Sequence, residues 1–124
     1  MKKACILVVD DEQYIRLLAR RLLSDKFTVL EGSDGAEAVD MAREHKPDLI
    51  LMDIMMPNVD GYNACSTIKN DQLTKRIPVV MLTGIGYELN KKLAKEMGAD
   101  DYITKPFTSE KLLDTIGKFL EIPK

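Results

Sequence analysis

The sequence predicts an α/β protein: a doubly wound, five-stranded parallel sheet with helices on both faces, formed by one domain over residues 1–124. Three observations carry this prediction. Short apolar runs alternate with longer amphipathic segments from end to end, and strict β-α alternation builds a parallel sheet. The runs Ala4–Val9, Leu49–Met52 and Pro78–Leu82 lack polar alternation, as strands covered on both faces do. The chain is 45% hydrophobic and 31% charged over 124 residues, long enough for a core without staples and too apolar for disorder.

The elements follow in order. Ala4–Val9 is a continuous apolar run of strand length, stopped by Asp10 and Asp11. Residues 13–23 place Ile15, Leu18, Ala19, Leu22 and Leu23 on one helical face. Phe27–Leu30 is a short strand. Asp34 followed by Glu37 opens a helix to about Glu44 as a capping-box variant, and Pro47 ends that region. Leu49–Met52 is a strand closed by Asp53. A third helix covers about Tyr62–Asn70, and Pro78–Leu82 is a strand closed by Thr83. A fourth helix over about Tyr87–Met97 ends at Gly98, a favourable residue just past a helix end. Tyr102–Thr104 is a short strand before Lys105-Pro106. The fifth helix runs from about Ser109 to Leu120, with Leu112, Leu113, Ile116 and Leu120 on one face.

Composition narrows the function. Eighteen Lys and Arg against twenty Asp and Glu give a net charge of −2, which argues against a domain built to grip nucleic-acid phosphates. Two cysteines without a C-x-x-C do not make a disulfide framework. Cys5 and Cys65 are expected to be small buried or half-buried thiols. The lone His45, at a helix end beside Pro47, is expected to be solvated. The first apolar run is too short for a signal-peptide core, and no stretch approaches the roughly 18 residues of a membrane span. The expected location is cytoplasmic.

The residues closing the strands carry the chemistry. In a parallel sheet the strand ends share one edge, where open α/β folds bind ligands. That edge gathers Asp10, Asp11, Asp53, Thr83 and Lys105. One such Asp is ordinarily a turn or cap residue; the set is harder to dismiss. Carboxylates a few ångströms apart repel by several kcal/mol at an effective dielectric of about 20. A hard divalent cation relieves that repulsion, and an oxygen-only, partly hydrated site suits Mg²⁺. Lys105 supplies a point charge for phosphoryl oxygens and Thr83 a hydroxyl donor. The set fits phosphoryl transfer to a carboxylate. Val9-Asp10-Asp11-Glu12-Gln13 contains no glycine, which excludes a P-loop or a dinucleotide fingerprint there. No Gly-x-Ser-x-Gly occurs, so a nucleophile-elbow hydrolase is not expected.

With these residues in view, the chain resembles the receiver domain of two-component response regulators, of the single-domain chemotaxis-regulator type. The carriers are Ile6-Leu7-Val8-Val9-Asp10-Asp11, Asp53-Ile54-Met55-Met56-Pro57 through Asp60-Gly61, Val80-Met81-Leu82-Thr83, Gly98-Ala99-Asp100-Asp101-Tyr102 and Lys105-Pro106-Phe107. The resemblance implies a flavodoxin-like strand order 2-1-3-4-5. It implies Asp53 as phosphoacceptor, and Mg²⁺ held by Asp11, Asp53 and the Met55 carbonyl. Asp10 would orient metal-bound water and help hold the ion. Thr83 would be the switch hydroxyl, Lys105 a phosphoryl contact and Tyr102 the aromatic switch residue. Asp60-Gly61 and Gly98 would serve as turns.

The resemblance also implies partners and dynamics. A histidine kinase or phosphotransfer protein would donate the phosphoryl group. An unknown output partner would read the face formed by the fourth helix, fifth strand and fifth helix; no direct nucleic-acid or membrane partner is implied. The chain would be a signalling switch that catalyses only its own phosphorylation and dephosphorylation. Met55 and Ile85 would flank the path of the hydrolytic water, and both are apolar. Gly84 stands where the family often has Ala, and Gly84-Ile85-Gly86 is expected to be mobile. The Lys105–Pro106 bond is expected to be cis, with Lys105 facing the strand edge and Phe107 packed inward.

Other readings remain open on the sequence. A Mg²⁺-dependent phosphohydrolase with Asp10 as nucleophile would want Asp-x-Asp after the first strand, where Asp10-Asp11-Glu12 stands. A receiver-like adaptor working without phosphate would not need the intact Asp, Thr and Lys set. Arg16, Arg20 and Arg21 form a basic stripe expected to be a solvated face, with a docking surface for an acidic partner as the alternative. Met52 is expected in the core, Met55 and Met56 in loop packing, and Asp100-Asp101 in a solvated turn.

Overall fold

The computed structural model describes residues 3–56, 59–84, 92 and 95–123. Its elements are β1 (Cys5–Val9), α1 (Gln13–Leu23), β2 (Thr28–Gly32), α2 (Gly35–His45), β3 (Leu49–Asp53), α3 (Gly61–Lys69), β4 (Val79–Thr83), β5 (Asp101–Thr104) and α4 (Ser109–Ile116). The strands form one parallel sheet in the order β2-β1-β3-β4-β5. The helix expected over about Tyr87–Met97 lies largely outside the described residues; within it Lys92, Lys95 and Glu96 are helical. Gly98 follows with φ +92°, and its N–H donates to the Lys95 carbonyl at 3.1 Å.

Side chains alternate across the sheet and fill two layers. Ile6, Val8, Leu49, Leu51, Val80 and Leu82 pack beneath α1 and α4. Leu7, Val9, Ile50, Met52, Val79 and Met81 pack beneath α2 and α3. Every residue of β3 and β4 is buried, so the continuous apolar runs reflect strands covered on both faces. Three helices start on a side-chain cap: Asp34 accepts from the Glu37 N–H, Asp60 from Asn63 and Thr108 from Lys111. Such a cap satisfies one orphan donor of the first turn and stabilises by about 1 kcal/mol.

The structure corrects several expectations. The buried line of α1 is Ile15, Ala19 and Leu23, whereas Leu18 faces outward with Tyr14 and Leu17. The last helix stops at Ile116, because Gly117 is a poor helix former; Lys118, Phe119 and Leu120 continue as turns onto Thr115 and Ile116. Asp100 is an exposed bend residue, as expected, and its carboxylate accepts from the Val79 N–H at 2.8 Å and meets Lys69 Nζ at 2.7 Å; Asp101 departs from the expectation, opening β5 half-buried. Cys5 is half-buried, Cys65 is buried and His45 is exposed, as expected. No described helix is long and apolar enough to cross a membrane.

The loop leaving β3 is fixed by a close backbone approach. Gly61 N–H donates to the Ile54 carbonyl at 2.9 Å. A Cβ on Gly61 would sit 2.1 Å from the Asp53 carbonyl oxygen, well inside contact distance. Gly61→Ala is therefore expected to destabilise the protein by about 2–3 kcal/mol. Urea unfolding checks this, with Gly117→Ala as control, where the nearest atom is 3.2 Å away. Equal losses in the two variants would contradict the close-approach argument.

Candidate functional site

Sheet register brings the strand-closing residues level. Val9 pairs with Met52, Asp53 with Leu82 and Thr83 with Thr104. One step past those pairs stand Asp10 and Lys105. All therefore share the carboxyl edge of the sheet, as the sequence predicted. Asp10 is held by its backbone, with its N–H donating to the Gly32 carbonyl at 3.1 Å. The Lys105–Pro106 bond is cis, and Phe107 packs into the α1–α4 layer. Lys105 N–H donates to the Thr83 carbonyl at 2.7 Å, which ties the chain after β5 to the end of β4.

Two buried carboxylates face one ammonium. Asp10 is fully buried and Asp53 is 6% exposed. Lys105 Nζ lies 2.8 Å from Asp10 Oδ2 and 3.1 Å from Asp53 Oδ1. Asp10 Oδ1 accepts from the Glu12 N–H at 2.9 Å. Asp10 Oδ2 has the ammonium as charge partner, but the alignment does not make a hydrogen bond. Burying that carboxylate is costly in a low-dielectric site unless a positive charge meets it, and the Lys105 ammonium supplies that charge.

The titration behaviour follows from this packing. Burial raises the Asp53 carboxyl to about 6, the Asp10 charge adds to the rise, and Lys105 opposes it. Burial alone would lower the Lys105 ammonium, but its contacts with Asp10 and Asp53 outweigh burial and hold it above its ordinary value. Asp53 is thus an accessible-pKa carboxylate beside a cation that is charged at every ordinary pH.

Asp11 and Glu12 are exposed beside this pair. Carboxylate oxygens of Asp10, Asp11 and Glu12 all lie within 4.8 Å of one another. Such an oxygen-only donor set suits a hard cation such as Mg²⁺. Asp53 joins this cluster across Lys105 rather than directly. Thr83 is 3% exposed, and its hydroxyl donates to the Ile103 carbonyl at 3.5 Å. Tyr102 is half-buried against the α2–α3 layer, on the same sheet face as Thr83. Met55, two residues beyond Asp53, is 78% exposed. Pro57, Ile85 and Gly86 lie outside the described residues.

The sequence reading missed two participants. Glu12 belongs to the acidic cluster, and the unbroken Asp-Asp-Glu run was the available signal. Arg16 is no solvated stripe residue: Nη1 donates to the Asp10 carbonyl at 2.5 Å and Nε to Glu31 at 3.2 Å. Arg20 grips the second oxygen of Glu31 at 2.8 Å. Arg16 stands four residues after Glu12, at helical spacing, but its partner Glu31 is on β2 and no local pattern announces it.

Comparison with known proteins agrees with this geometry. Residues 6–117 match the response regulator receiver domain family. The chain is 42% identical over 116 residues to the chemotaxis protein CheY of Halobacterium salinarum, covering 93% of this chain and 95% of that protein. It is 41% identical over 108 residues to the alkaline phosphatase synthesis transcriptional regulatory protein PhoP of Bacillus subtilis, covering 87% of this chain but 44% of that longer protein. The receiver domain of a sensor histidine kinase from Pseudomonas aeruginosa, solved with a magnesium ion coordinated in its active-site cleft, superposes with a TM-score of 0.88 at 28% identity, covering 94% of this chain and 97% of that one. With the strand order, the acidic strand ends and the family match in agreement, this chain belongs to the response regulator receiver domains of two-component phosphorelay signalling.

Proposed function

We propose that this chain is a phosphorylation-dependent switch that accepts a phosphoryl group from a histidine kinase or phosphotransfer protein onto Asp53, in a Mg²⁺-dependent reaction. The observation that carries the reading is Lys105 Nζ, 2.8 Å from Asp10 and 3.1 Å from Asp53. It gives the acceptor carboxylate a neighbouring positive charge that can pass to a phosphoryl oxygen. An Asp53 oxygen attacks phosphorus, the phosphorus–nitrogen bond of the donor phosphohistidine breaks, and the departing imidazole keeps that electron pair. Asp10, Asp11, Asp53 and the Met55 carbonyl would hold the ion. Bound Mg²⁺ supplies charge neutralisation and polarises phosphoryl oxygens.

The acyl phosphate then biases a two-state domain. Thr83 exchanges its 3.5 Å bond with Ile103 for a phosphoryl oxygen. Tyr102, on the same sheet face, carries the change to the surface of β5 and α4 and the fourth predicted helix, where the output partner binds. The chain catalyses its own phosphorylation and dephosphorylation in this scheme and transforms no other substrate. The buried position of Asp10, with one oxygen on Glu12 N–H and the other against Lys105, disfavours it as a nucleophile.

The direct test is intact mass after acetyl phosphate with Mg²⁺. The wild type is expected to gain about 80 Da, one phosphoryl group, on a carboxylate. Asp53→Asn is expected to lose the gain and keep the fold, because one of several crowded negative charges is removed. Labelling that persists in Asp53→Asn and disappears in Asp10→Asn would replace this reading with a phosphohydrolase.

Mg²⁺ binding to the folded state alone must stabilise it, by about 2.7 kcal/mol at a hundredfold excess over Kd. Asp11→Ala is expected to weaken that stabilisation strongly. Thermal unfolding across a Mg²⁺ titration checks it. A wild-type midpoint independent of Mg²⁺ would contradict the metal site.

A further inference from the structure

Glu12, at the start of α1, has no side-chain cap hydrogen bond. The turn from β1 into α1 is closed in another way. Asp10 Oδ1 takes the Glu12 N–H, and Arg16 Nη1 reaches back one helical turn to the Asp10 carbonyl at 2.5 Å. The guanidinium is itself anchored, with Nε 3.2 Å from Glu31 Oε1. Arg20 holds the other oxygen of that carboxylate at 2.8 Å and the Val29 carbonyl at 3.1 Å. The result is a clamp running from β2 through α1 to the backbone of the site.

The carbonyl that Arg16 grips belongs to the Asp10–Asp11 peptide. A peptide is planar, so holding its oxygen restrains the plane that contains the Asp11 Cα; the Glu12 N–H bonded to Asp10 Oδ1 holds the next peptide, and the two held peptides together set the direction of the Asp11 side chain. Asp10 needs no such help, being buried, with Oδ1 bonded to the Glu12 N–H and Oδ2 ion-paired with Lys105. Asp11 is exposed, and its aim depends on that plane. We infer that Arg16, oriented by Glu31, is a positioning residue that aims Asp11 at the cation of the acidic cluster. The inference rests on the Mg²⁺-dependent reading above and adds to it the group that preorganises the site.

Charge alone predicts the opposite sign. Deleting a cation beside an acidic cluster removes repulsion and should tighten Mg²⁺ binding. Loss of positioning loosens it. Lysine retains the charge but lacks the rigid fork that reaches a carbonyl and a carboxylate together.

The test is a Mg²⁺ titration of the full chain by amide NMR, without phosphodonor, in the wild type, Arg16→Ala, Arg16→Lys and Glu31→Gln. Both Arg16 variants are expected to bind about ten-fold more weakly, as when a partner orienting a metal ligand is lost. Glu31→Gln is expected to fall between them and the wild type. In the metal-free protein, the Asp10 carbonyl ¹³C resonance should shift in both Arg16 variants. With acetyl phosphate, the Mg²⁺ concentration for half-maximal labelling should rise by the same factor, and the rate at saturation should fall by less. Equal or tighter Mg²⁺ binding in Arg16→Ala, or full rescue by Arg16→Lys, would overturn the inference and leave the phosphoacceptor reading standing. Weaker binding in the Arg16 variants of a wild type that is never labelled would support the clamp and overturn only that reading. A wild type that binds no Mg²⁺ would overturn both. If Arg16→Ala fails to fold, Glu31→Gln decides, and unchanged binding in it overturns the inference.

Discussion

Lys105 Nζ stands between the buried carboxylates of Asp10 and Asp53, and the site end of the sheet depends on that arrangement. Parallel pairing forces the ends of β1 and β3 side by side, so any acid closing both strands must crowd. Removing one partner of a buried ion pair typically costs about 3–5 kcal/mol, because the other charge is left uncompensated. The backbone is arranged to deliver the ammonium: Lys105 N–H is bonded to the Thr83 carbonyl, and Phe107 anchors the following chain in the core. Thr83, Lys105 and Asp53 are thereby coupled through the same few atoms.

Burial, and the excess of negative charge left by one ammonium against a cluster of acids, both act on Asp53. Its carboxyl is raised to about 6, chiefly by burial. An unfolded Asp loses its proton near 4, so between about pH 4 and 6 the folded state retains a proton that the unfolded state has lost. The contribution of Asp53 to metal-free stability is therefore fully present below about 4 and is lost as pH rises through 6. With allowance for solvent screening on the open side, the loss is on the order of 1–2 kcal/mol. A domain that keeps such strain at one edge is poised for a cation or a phosphoryl group to change its energetics.

Much of this was legible in the sequence, for identifiable reasons. β1, β3 and β4 are covered on both faces, so their runs have no polar interruptions. The strand-closing residues follow directly, because parallel register makes a strand's last residue a position in space. Asp34 announces its helix because capping is local. The edge strand β2 was read less well: it ends at Gly32, two residues beyond the predicted Leu30, since its positions are partly exposed and carry weaker patterning. Leu18 misled because a helical stripe is wider than the line that packs against the sheet. Arg16 was misjudged, and Glu31 was not singled out, because they come together from distant elements, and a charged residue carries no local sign of which strand it will meet.

The central claim is that burial and the opposing charges of Asp10 and Lys105 set the state of Asp53. A ¹³C carboxyl titration of metal-free protein, comparing the wild type with Lys105→Met and Asp10→Asn, tests it most directly. The account predicts a wild-type midpoint of about 6 for Asp53, moved upward in Lys105→Met and downward in Asp10→Asn. An Asp53 midpoint near 4 that neither substitution moves would contradict it.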